Sequence, residues 1–168
     1  MSAFKFSGGA KLAEKLKELA ALANKDALVK VGFFEGATET KSGVSTAYVA
    51  ACNEFGGQSN PEDKDSEPNP PPRPFFRGMI KDGQNHWGED MAKALERYSG
   101  DVDLAMEFMG QQLGEELQNS IQKRRYAPLS PKTIARKKND QTLIDTGDMS
   151  NAVSFQVNDG EIVPVKDQ

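Results

Sequence analysis

A chain of 168 residues with 37% apolar residues can fill one modest hydrophobic core but not two. The 27% of charged residues and a mean hydropathy of -0.63 describe a polar exterior, and no apolar run approaches the roughly 18 to 20 residues that span a bilayer, which excludes a membrane-spanning helix. One histidine, His86, and one cysteine, Cys52, leave too few side chains for a zinc site of usual composition, a Ser-His-Asp triad or an internal disulfide; Cys52 is expected to be a small buried apolar residue.

The start of the chain has no apolar stretch behind a basic end, so no secretory signal is expected. From Gly9 to Lys25, Leu12, Leu16, Leu19 and Ala23 recur at three- and four-residue steps with Lys and Glu between them, the pattern of an amphipathic helix. Leu28 to Phe34 alternates Val29, Val31 and Phe33 against polar or small residues and predicts a strand. A Gly/Thr/Ser loop over 36–45 follows, then Ala47 to Phe55, where alanine favours a helix over a strand and Gly56-Gly57 ends it.

Between Gly56 and Pro74 stand six prolines, which remove backbone donors and exclude regular structure. The segment 57–74 reads as an extended arm that orders against a partner through Glu62, Asp63, Asp65 and Glu67 and through the Arg73, Phe75, Phe76 and Arg77 at its end. The alternative is that Phe75 and Phe76 enter the core as the next helix begins.

Two long helices are predicted next, one with Ile80, Trp87, Met91, Leu95 and Tyr98 on a face, and one with Val102, Met106, Met109, Leu113, Leu117 and Ile121. Asp101 is placed to cap the second. Ser130-Pro131 starts a short basic helix, with serine as cap and proline where its missing N–H is not needed. Ala152 to Val157 alternates again, and Asn158-Asp159-Gly160 turns it into Glu161 to Val165, a hairpin whose Pro164 confines the second strand to an edge. Helices and strands are segregated rather than alternating, so the expected class is α+β in one domain, a small sheet against two long helices.

The net charge of -4 hides an uneven distribution. Five acids and one base lie between Glu54 and Glu67, whereas Lys123, Arg124, Arg125, Lys132, Arg136, Lys137 and Lys138 form a run without an acid. Such a chain could present opposite faces to unlike neighbours, with the basic run docking on an acidic surface or passing DNA; the plain alternative is two solvated runs. Leu143-Ile144-Asp145-Thr146-Gly147 is similar to the catalytic turn of aspartic proteases, which one copy per chain could build only as a homodimer. Only 21 residues follow Gly147, too few for that all-β fold, and the turn chemistry of Asp, Thr and Gly accounts for the motif. No phosphate-binding glycine loop occurs, no cofactor is called for, and no catalytic residue is assigned.

Four stretches stand in order: Val31-Gly32-Phe33-Phe34 with its Gly/Thr loop; Val49-Ala50-Ala51-Cys52-Asn53-Glu54-Phe55-Gly56; Pro72-Arg73-Pro74-Phe75-Phe76-Arg77; and Leu129-Ser130-Pro131-Lys132-Thr133-Ile134-Ala135 leading to Leu143-Ile144-Asp145-Thr146-Gly147-Asp148-Met149. Together they resemble the tail-completion or neck proteins, the virion-morphogenesis group, of long-tailed double-stranded DNA bacteriophages. The resemblance implies an α+β subunit that forms a ring, a hexamer in expectation, where tail meets head around the DNA channel. It implies partners among head-completion or connector and tail-terminator or tail-tube proteins, contact with DNA that is blind to sequence, and residence in the virion after assembly in the host cytoplasm. The insert from Gln58 to Pro71 is longer than the family pattern. A tail-terminator ring that stops tube growth is the alternative within the class.

Overall fold

A computed structural model describes residues 14, 17, 26–40, 43–57, 71–122, 126–138, 140–144 and 146–166 of the chain. Of the helix expected over 9–25, Glu14 and Lys17 are helical and exposed; the rest lies outside the described residues, as do Glu62, Asp63, Asp65 and Glu67, Lys123, Arg124 and Arg125, and Asp145. The described elements are β1 (Val29–Phe33), α1 (Thr46–Phe55), α2 (Phe75–Gly83), α3 (Trp87–Arg97), α4 (Val102–Gln122), α5 (Pro131–Lys137), α6 (Asp148–Asn151), β2 (Val153–Val157) and β3 (Ile162–Pro164). The class is α+β. No helix among the described residues is long and apolar enough to cross a membrane.

Antiparallel pairing joins the strands in the order β1-β2-β3. The period-two alternation sets the register: Val31 faces Phe155 and Phe33 faces Val153, so one row of apolar side chains meets α4. Asn158 closes the β1–β2 ladder, donating its N–H to the Leu28 carbonyl at 2.6 Å and accepting the Leu28 N–H on its side chain at 2.9 Å. Pro164 sits on the edge strand β3, where a missing donor is tolerated.

Helix α4 carries the sheet. Asp101 caps it, Oδ1 accepting from Asp103 and Leu104 N–H at 3.1 Å. Gly110 and Gly114, one turn apart, let the sheet come close: a Cβ at Gly110 would overlap the Phe155 ring, and one at Gly114 would overlap Val165. The core gathers Phe75, Met79, Leu117, Ile121, Val153, Phe155 and Val165 around this seam. Cys52 is half-buried rather than enclosed as expected, because it points away from the Thr46, Ala50 and Glu54 side that α1 buries.

One predicted helix is in fact two. The stripe drawn from Ile80 to Tyr98 is interrupted at 84–86, and Ile80 itself is exposed. At the break the Trp87 indole packs against Gly83, where a Cβ would lie 2.5 Å from Nε1, and its N–H donates to Glu116 on α4 at 2.9 Å. Ser130 caps α5 as expected, Oγ accepting from Thr133 N–H at 3.1 Å, and Gly56, at φ 87°, ends α1.

Candidate functional site

The end of α1 and the start of α2 meet in a polar joint between the second and third of the four motif stretches. Glu54 is buried at 5% exposure. Its Oε2 accepts the Phe76 N–H at 2.8 Å, and its Oε1 accepts the Arg77 N–H at 3.2 Å and Arg77 Nε at 2.7 Å; Arg77 Nη2 donates to the Glu54 carbonyl at 2.9 Å. Pro74 precedes α2 and brings no side-chain cap of its own. A carboxylate from another helix therefore satisfies the free N–H groups of α2, at the end where the helix dipole favours negative charge.

Arg73 lies beside this joint. Its N–H donates to the Asn53 carbonyl at 2.8 Å and its Nη1 to Asn53 Oδ1 at 3.3 Å. The side chain is buried, its Nε has no hydrogen-bond partner, and desolvation pulls the guanidinium pKa below its ordinary value. Phe75 is fully enclosed, with its ring edge-on to Phe33 at 6.2 Å, and Phe76 packs against the core. The contacts assigned to the arm's end thus divide: Arg73 and Phe75 are interior residues because the chain turns inward at Pro74, while Arg77 stays largely exposed with its guanidinium 5.2 Å from the Phe55 ring centroid.

A second joint links the first motif stretch to the last. Asp148 Oδ2 accepts the Thr40 N–H at 2.7 Å and Oδ1 accepts Thr40 Oγ1 at 3.1 Å. The loop before α1 is folded on itself by the Thr38–Ser45 bridge. Gly147 holds φ 89°, and Thr146 Oγ1 accepts the Asp148 N–H at 3.3 Å, which is the local turn chemistry expected of the Asp-Thr-Gly run.

Between α2, the turn at His86 and α4 lies a cleft of about 440 Å³ that Asp82, His86, Glu116, Asn119 and Gln122 help to line. Of its lining acids, Glu116 ties helices together by accepting from Trp87 Nε1 at 2.9 Å, and Asp90 lies on the neighbouring α3. Asp90 Oδ2 accepts from His86 Nδ1 at 2.7 Å and from Gln112 Nε2 at 2.9 Å, and these bonds, that from His86 foremost, hold the Asp90 carboxyl below its usual range. Among the described residues no three His, Cys, Asp or Glu side chains are grouped so as to hold a metal ion.

Of the basic run, Lys132 and Lys138 are exposed, whereas Lys137 is half-buried and donates to the Gln141 carbonyl at 3.0 Å. Arg136 belongs to α5. The outward side of α1 carries Tyr48 and Phe55 at 66% and 68% exposure. Sequence reasoning missed the roles of Asn53, Glu54, Thr40 and Asp148. The available signal for Glu54 was a single acid ending an otherwise apolar helix, directly before the glycines.

The fold and these joints define an α+β scaffold whose motif residues lock its own elements together and whose outward surface is aromatic on α1. Comparison with known proteins adds no relative: no family model, no curated protein and no solved structure matches the chain.

Proposed function

We propose that the chain is a structural subunit of a tailed-phage virion, forming a ring at the head–tail junction that joins tail to head and surrounds the DNA channel, without a reaction of its own. The observation that carries the reading is the pairing of the four motif stretches. Asn53 and Glu54 hold Arg73, Phe76 and Arg77, and Thr40 is held by Asp148. Motif residues used as fasteners suit a subunit whose task is to keep a shape under load, and they leave Tyr48 and Phe55 outward as contacts for further copies.

Lys132 and Lys138 are both exposed, and in this reading they face passing DNA or an acidic neighbour. Changing both to Gln is expected to leave the fold unchanged and to lower the yield of joined particles, with a defect that deepens as salt screens the remaining charge. Counting joined heads and tails by electron microscopy after complementation checks this. Wild-type yield at every salt concentration would return the segment to a plain solvated face.

A further inference from the structure

Helix α1 carries apolar residues on its outward side as well as in the core. It buries Thr46, Ala50 and Glu54, while Tyr48, Ala51 and Phe55, about 140° further round at 100° per residue, are exposed, and Val44 just before the helix is exposed beside them. The one acid or base on α1 is Glu54, and it is turned inward. The charge beside this face is Arg77, over the Phe55 ring and paired with Glu54, so covering the face would remove apolar surface from water and partly shield that pair.

The sequence holds one segment of matching character. Leu12, Leu16, Leu19 and Ala23 form a stripe on a 3.6-residue period within Gly9 to Lys25. Glu14 and Lys17 lie on the opposite side of that wheel, and both are helical and exposed. The stripe spans roughly 16 Å at 1.5 Å per residue, enough to cover the roughly 10 Å from Tyr48 to Phe55 and reach Val44. Tyr48 and Phe55 are exposed, and a segment that serves a neighbouring copy, as self-association into a ring requires, would cover them.

We propose that the Gly9 to Lys25 segment of one copy docks as an amphipathic helix on the Val44, Tyr48, Ala51 and Phe55 face of the next copy. The contact joins unlike surfaces head to tail, the type that closes a ring when the rotation allows. It rests on self-association, as the ring reading does, but not on a phage neck.

Two full-length variants test it, with circular dichroism confirming that each is folded. Leu12→Asp with Leu16→Asp spoils the stripe and leaves the face; Tyr48→Ser with Phe55→Ser spoils the face and leaves the stripe. By native mass spectrometry each alone is expected to lose the wild-type oligomer, and an equimolar mixture is expected to give one-to-one pairs through the single intact contact. Wild-type mass for either variant, or a mixture of monomers, would overturn the proposal. A labelled peptide of residues 9–25 separates this contact from the ring. Saturable binding to the stripe variant, at least tenfold weaker on the face variant, supports the docking; equal binding to both, none, or a wild-type chain that is monomeric defeats docking between copies.

Discussion

Replacing Glu54 with alanine is expected to lower stability by about 3 kcal/mol, the largest loss from a single polar side chain in this fold. Removing a helix cap costs about 0.5–2 kcal/mol, and each hydrogen bond to a charged group is worth about 1.5–3 kcal/mol. Here one buried carboxylate accepts from two backbone N–H groups of α2 and from Arg77 Nε. Those donors cannot all reach water once the carboxylate is gone, since Phe76 packs against the core. Arg77→Ala should cost only about 1 kcal/mol, because its side chain is 57% exposed and its share of the ion pair is screened by solvent. The two variants compared by denaturant midpoint at constant slope check the asymmetry. Equal losses would mean that the ion pair, and not the capping of α2, is what Glu54 supplies.

Overfilling the seam between α4 and the sheet is expected to be at least as damaging. Gly110→Val should destabilise by about 2–4 kcal/mol, since its Cβ would already fall within the Phe155 ring, and overpacking costs about 1–3 kcal/mol before a branched side chain adds to it. Gly114→Val meets Val165 in the same way. The gain in helix propensity on leaving glycine, up to about 1 kcal/mol, does not offset either. Gly88→Ala on α3 is the control: a Cβ there meets nothing within 4 Å, so the same propensity gain should appear as a small stabilisation. Thermal unfolding of the three variants side by side gives the signs, and a Gly110→Val protein as stable as the parent would show that the sheet does not sit on α4 in this way.

Features set by neighbours in sequence were legible. The alternation of Val29, Val31 and Phe33 and of Val153, Phe155 and Val157, the caps at Asp101 and Ser130, and the turn at Asn158 each depend on a few adjacent residues, and each is present in the fold. What escaped depends on distant partners. Glu54 was grouped with the acids that follow it, yet its partners lie 22 and 23 residues away. Asp148 and Thr40 are 108 residues apart. The helix break before Trp87 was hidden because the apolar spacing runs through it unbroken, while the indole's partner Glu116 lies 29 residues away on another helix. Gly110 and Gly114 likewise gain their role only from Phe155 and Val165, which the fold brings against them from far along the sequence.

A cryo-electron reconstruction of the neck of tailed particles that carry this chain tests the central claim most directly. The account predicts a closed ring of copies at the head–tail junction, with α4 and its three-stranded sheet recognisable in each subunit and the DNA channel passing through the middle. Mature, infectious particles lacking the chain at the junction, while the chain accumulates outside them, would contradict it.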